Sequence, residues 1–170
     1  MRIAVLFKEV PDTYGERELN LETGLAVRTG DNVADEAVER AVEAALTIAE
    51  ATGGEVELLS VAPASADASI RKGIAMGAEN AHIVSDDSLI GADFTLTAEV
   101  LAALVRREEY DLVVAGNVSS DGAGGVIPTM VAELLDWPAL TNLTKVEVAG
   151  STVTATRASD GATMELSAEL

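Results

Sequence analysis

The stretch from Tyr110 to Trp137, YDLVVAGNVSSDGAGGVIPTMVAELLDW, constrains the fold more than any other. Asp111 to Gly116 is a short apolar run stopped by glycine, the pattern of a buried parallel strand. Asn117 to Gly125 is small, polar and glycine-rich. Apolar residues then recur at 126, 127, 130, 131, 134 and 135, which is helical spacing, and Pro128 suits a first turn whose N–H groups are unpaired anyway. Strand, glycine loop and helix start together make an anion site in α/β proteins. The free N–H groups and the helix dipole favour negative charge, and glycine admits close approach. Ser120, Asp121, Gly122, Gly124 and Gly125 are therefore candidate holders of a nucleotide phosphate. The same pattern also serves as a plain tight turn. It lacks the Lys-Ser/Thr end of a P-loop and is not GxGxxG.

Upstream, the hydropathy pattern predicts a strand over 2–10, with Lys8 near its carboxyl end, where an open parallel sheet carries ligands. That lysine either faces an anion or is simply solvated. Residues 14–33 are irregular, with room for a hairpin at Glu22-Thr23-Gly24. An amphipathic helix follows over 35–51, ended by Gly53-Gly54. A strand over 55–61, a helix over 65–76, a strand over 80–84 and a helix over 93–108 lead into the opening stretch. This β-α alternation predicts one α/β domain over 1–170, a parallel sheet with helices on both faces. After Pro138 the texture turns β-branched and alternating, with turns at Gly150-Ser151 and Asp160-Gly161. We expect an antiparallel extension added to the same sheet.

Composition narrows the chemistry. The chain has 170 residues, no cysteine and one histidine, His82, within a strand-like run. Thiol chemistry and disulfides are excluded, and no spaced carboxylate cluster proposes a metal. Ser119 and Ser120 have no histidine to activate them, and no carboxylate pair stands out, so no catalytic residue is nominated. With 29 acidic against 11 basic residues the net charge is -18, which disfavours nucleic acid as a partner. Lysine is scarce, at positions 8, 72 and 145 only. Such an acidic surface matches a protein of a high-salt cytoplasm. The apolar runs are too short for a membrane span and no signal-peptide pattern appears, so we expect a cytoplasmic protein without membrane insertion.

Several segments together resemble the beta subunit of electron transfer flavoproteins, the FixA type. Val5 to Thr13, VLFKEVPDT, is similar to that family's opening V-x-x-K-x-V-P-D-T. The helix from Asp35 to Glu50, the segment Arg71 to Ala78 (RKGIAMGA) and the block Asp111 to Pro138 match further family motifs in order and spacing. The resemblance implies a Rossmann-like, adenine-nucleotide-binding fold. It implies a structural AMP in this chain and a larger alpha subunit that carries FAD. The pair would carry electrons from flavin dehydrogenases to a quinone reductase or related acceptor. In electron-bifurcating relatives FAD takes the place of the AMP. The nucleotide contacts it implies fall on Leu6, Asp35, Val61, and the run Gly116, Asn117, Ser120, Asp121, Gly122, Ala123, Gly124, Gly125, Val126 and Ile127.

The chain also departs from the family. Asp35 accepts but cannot donate, so a phosphate close to it would be repelled. Val126 stands where glutamine is common. Phe94 replaces the first threonine of the bifurcating G-x-D-T-x-x-T pattern, which favours AMP over a second FAD. The family's partner-recognition loop and C-terminal arm have no counterpart within 1–170. Two further readings remain beside this one. One is a stand-alone ATP- or AMP-binding domain similar to universal stress proteins, and the other is an α/β enzyme acting on nucleotides.

Overall fold

The computed structural model describes residues 1–170. β1 (Arg2–Leu6) is followed by two short strands, β2 (Glu9–Pro11) and β3 (Asn32–Ala34), which pair antiparallel and hold between them a long excursion. The single strand expected over 2–10 is thus split at Phe7-Lys8, where the chain leaves the parallel sheet. Within the excursion Leu19 pairs with Ala26, so the hairpin expected at Glu22-Thr23-Gly24 is present.

α1 (Glu36–Thr52) starts at Asp35, whose carboxylate caps the Ala37 N–H, and stops at Gly53 in the left-handed conformation, φ 67°. β4 (Glu55–Val61) follows. The next helix is shorter than its pattern: Ala64–Ala66 is a 3₁₀ turn and α2 is Asp67–Ala75. Gly73 sits inside α2 because a Cβ there would lie 2.6 Å from the Leu58 side chain. β5 (Asn80–Val84), α3 (Phe94–Glu108), β6 (Leu112–Ala115) and α4 (Ile127–Leu135) complete the alternation. Asp93 caps α3 by accepting the Leu96 N–H.

The parallel sheet has the order β5-β4-β1-β6. Side chains of β1 alternate between its two faces. Ile3 and Val5 join Leu58, Val38, Val42, Ala45, Ile48 and Ile70 under α1 and α2. Ala4 and Leu6 join Leu59, Ala98, Leu101, Val105 and Val131 under α3 and α4. Both faces are covered, which is why β1 reads as a continuous apolar run. Each fully buried aliphatic side chain contributes about 1.5–3 kcal/mol, an upper value because unfolded chains already bury some surface.

β7 (Lys145–Ala149), β8 (Thr152–Ser159) and β9 (Ala162–Glu169) form an antiparallel sheet of their own. This corrects the expectation that the tail extends the parallel sheet. The strands alternate, so only one of their faces is apolar, whereas a strand of the central sheet must bury both. Val146 and Val148 instead pack against the α1 side of the core. α1 consequently lies between the two sheets. No helix is long and apolar enough to cross a membrane.

Candidate functional site

From β1 the chain passes through α1 to β4 on one side, and it later returns through α3 to β6 on the other. The order reverses between β1 and β6. In open α/β sheets the crevice for ligands lies at the carboxyl ends of strands, at such a reversal. Here those ends deliver Leu6 to Lys8 from β1 and Gly116 onward from β6.

Gly116 is required where it stands. A Cβ there would come within 2.9 Å of the Ala37 backbone, because the first turn of α1 lies directly on the end of β6. That close approach places Asp35 beside the loop. Asp35 is buried, and its two oxygens are both engaged: Oδ1 accepts from the Ala37 N–H at 2.9 Å and Oδ2 from the Ser120 N–H at 2.7 Å. The residue anchors the loop to α1 and has no oxygen turned away from these bonds.

Asp121 is the second anchor. Its Oδ1 accepts from Lys8 Nζ at 2.7 Å and from the Gly122 N–H at 2.5 Å, and its Oδ2 from Arg28 at 2.8 Å. Lys8 also donates to Ser119 Oγ at 3.2 Å. Burial favours the protonated acid, but the hydrogen bonds from Lys8, Arg28 and Gly122 outweigh it and hold Asp121 well below the usual carboxylate range. Arg17 donates to the Ser120 carbonyl at 2.6 Å.

Beyond these anchors the loop changes character. Ser119 O accepts from the Ala123 N–H, and Ala123 and Gly125 take positive φ, 49° and 63°. Gly122 to Val126 face solvent. α4 has no side-chain cap, and Pro128 stands in its first turn. No acceptor within the chain takes the N–H groups of Gly124, Gly125, Val126 or Ile127. Ser120 Oγ is shielded from solvent and also has no partner. A run of free N–H groups at a helix start, with left-handed residues turning the backbone, is a concavity for an anion. Phe94 lies beside it: a Cβ at Gly124 would fall 2.6 Å from its ring.

The sequence-derived candidates divide accordingly. Lys8, Asp35, Ser120, Asp121 and Gly122 are joined by hydrogen bonds, and Gly124, Gly125, Val126 and Ile127 carry the free donors. Gly116 and Ala123 shape the backbone. Asn117 is exposed, and its carbonyl lies next to Gly125. Leu6 and Val61 end neighbouring strands on the α3 side of the sheet. Sequence reasoning missed Arg17 and Arg28. Both lie in the irregular excursion, and their only signal is that basic residues are rare in this chain. His82 lies away from this site, 3.0 Å from Glu57. No cluster of three or more histidine or carboxylate side chains is placed to hold a metal ion.

Comparison with known proteins shows which family the chain belongs to. The family model "Electron transfer flavoprotein domain" matches residues 23–169. The chain is 42% identical over 175 aligned positions to "Electron transfer flavoprotein subunit beta" of Mycobacterium tuberculosis, covering 99% of this chain and 66% of that one. It is 35% identical over 159 positions to the subunit of the same name from Thermoanaerobacterium thermosaccharolyticum, covering 93% of this chain and 61% of the relative. It is 34% identical over 151 positions to "Caffeyl-CoA reductase-Etf complex subunit CarD" of Acetobacterium woodii, covering 87% and 57%. The chain thus spans less than two thirds of the length of these relatives, from 57% to 66%. With matches of this extent, the chain belongs to the electron transfer flavoprotein family, on its beta-subunit side.

Proposed function

We propose that this chain is the nucleotide-holding part of an electron transfer flavoprotein, keeping an AMP as a permanent structural ligand. The observation that carries the reading is the set of free N–H groups from Gly124 to Ile127 at the uncapped start of α4, on the carboxyl side of the β1/β6 reversal. An AMP phosphate fits such a cradle. Leu6 and Val61 bound the apolar side toward the adenosine. Lys8 keeps the approach cationic. The groups present bind and orient; none is arranged as a nucleophile with its base, so the chain is a holder and not a catalyst.

In this reading an FAD-bearing alpha subunit is the partner, and the assembly carries electrons from flavin dehydrogenases to a quinone reductase or a related acceptor. The Phe94 ring against Gly124 takes up room beside the loop, which favours a mononucleotide over FAD at this site. The direct test is to denature the purified protein and identify the nucleotide released. AMP in near-stoichiometric amount is the expected result. FAD would convert the reading to the bifurcating kind, ATP to a stand-alone sensor, and release of no nucleotide would overturn a resident ligand. Co-purification with an alpha subunit tests the partner separately.

A further inference from the structure

Only 11 of the 170 residues are basic, yet Lys8, Arg17 and Arg28 converge on three consecutive loop residues, Ser119, Ser120 and Asp121. Two of these cations come from the excursion between β2 and β3, more than ninety positions away along the chain. We propose that this excursion is part of the nucleotide site, and that Arg17 and Arg28 are positioning residues which set the loop's backbone through Ser120 and Asp121. The inference rests on the nucleotide reading for its ligand but not for its geometry.

The loop from Ser119 to Asp121 is held by five side-chain hydrogen bonds from outside it. Asp35 accepts the Ser120 N–H, Lys8 donates to Ser119 Oγ and to the Asp121 carboxylate, Arg28 donates to the same carboxylate, and Arg17 donates to the Ser120 carbonyl. Removing the two arginines removes two of these five ties. Arg28 is itself steadied, because its carbonyl accepts from Asn32 Nδ2 at 3.2 Å on β3. The excursion also reaches the far side of the site. Leu25 lies against Gly91, just before α3, where a Cβ would meet its side chain at 3.4 Å. The segment therefore spans the mouth from Gly91 to Asp121. Loop and excursion share their ties, so whatever orders one orders the other, and by linkage the effect runs both ways.

The excursion carries five acids, Asp12, Glu16, Glu18, Glu22 and Asp31, yet its two bases, Arg17 and Arg28, are the side chains that reach the loop. Neither arginine points at the free N–H groups; both act on the loop that carries those groups. They are positioning residues, distinct from the backbone groups that would hold the phosphate.

The experiment has two arms on the full 170-residue chain. In the first, amide hydrogen exchange is followed without nucleotide in the wild type, Arg28→Gln, Arg17→Gln/Arg28→Gln and a surface control, Arg40→Gln. The double variant is expected to raise exchange across 122–127 at least tenfold, with α1 and β1 unchanged and the control silent. In the second arm, AMP affinity is measured by calorimetry. Arg28→Gln is expected to weaken it about tenfold, and Arg28→Lys, which still reaches one carboxylate oxygen, to restore most of the loss. Unchanged exchange in the double variant overturns the positioning role whatever the ligand. Unchanged AMP affinity in Arg28→Gln overturns it as well. A wild type that binds no AMP while the first arm behaves as expected overturns the nucleotide reading and leaves the positioning role standing.

Discussion

The two ends of the parallel sheet each hold a mostly buried carboxylate that accepts several hydrogen bonds, and only one of them is a candidate site. At the amino end, Glu57 of β4 accepts from Tyr110 at 2.5 Å, from Arg2 at 3.2 Å on each oxygen, and lies 3.0 Å from His82 Nε2. Arg2 further stacks over the Tyr110 ring at 4.9 Å, donates to the Glu108 carbonyl, and gives its own N–H to Asp111 at 2.7 Å. Burial raises the Glu57 pKa, but the bonds from Tyr110, Arg2 and His82 more than compensate, and it falls below its ordinary value. Burial and the Glu57 bond in turn push the Tyr110 phenol far upward. At the carboxyl end, Asp121 is depressed for the same kinds of reason.

The difference lies in what surrounds each carboxylate. Around Glu57 every partner belongs to a strand, a helix or its end. The polar groups there satisfy one another, and the cluster closes the sheet. Around Asp121 the partners come from loops, and next to it stand free N–H groups and an unpartnered hydroxyl. A perturbed acid alone does not mark a ligand site. Free N–H groups at a helix start beside it make it a candidate.

This contrast predicts opposite responses to mutation. The largest loss of stability is expected for Glu57→Ala, about 2–3 kcal/mol in urea unfolding, since Tyr110, His82 and Arg2 lose their common acceptor. The figure sits below that for a fully buried pair because Arg2 is partly solvated. AMP affinity should not change, and a large change would break the division between the two ends. Gly116→Ala comes next, at about 1–3 kcal/mol, because the new methyl forces α1 away from β6. It should also weaken AMP at least tenfold, since the same contact sets Asp35 against the loop.

Asp121→Asn is expected to cost less, about 1 kcal/mol or below at neutral pH, since Lys8 and Arg28 are partly exposed. Its effect on AMP should be the larger one. A carboxylate depressed in the folded state stabilises above its unfolded pKa, about 4, and loses that contribution as pH falls further. Melting curves of the wild type and Asp121→Asn should therefore run parallel above about pH 5 and converge below about pH 4. A gap that persists in acid would remove the charge from the explanation. The smallest effect is expected from salt. Molar KCl should raise the melting temperature by a few degrees by screening the net charge of -18 while weakening AMP, whose attraction is screened too.

Much of this was legible in the residues. The stretch 111–135 reads correctly to within a residue or two because an apolar run, a glycine and Pro128 each mark a boundary. Lys8 stands out because the apolar run of the first strand stops just before it. The resemblance implies a nucleotide contact at Asp35; in the structure its carboxylate caps α1 and anchors the loop, with both oxygens engaged. The tail was read as strands, but alternation tells which face is apolar and not which sheet a strand joins. Arg17 and Arg28 lie in a segment without periodicity, so nothing local places them. The Glu57 cluster gathers residues from positions 2 to 111, a proximity that only the sheet creates.

The pairing of β1 with β6 joins Ile3 to Leu112, so the crevice exists only once the chain has closed on itself over more than a hundred residues. β1 with β4 closes over about half that distance. Closing the longer loop costs more entropy, and β6 is an edge strand held on one side alone. Of the two neighbours of β1, β6 is then expected to dock later than β4. If it docks after the folding barrier, a ligand seated at that junction would act as a bolt and not as a seed, slowing the unfolding rate and leaving the folding rate where it was.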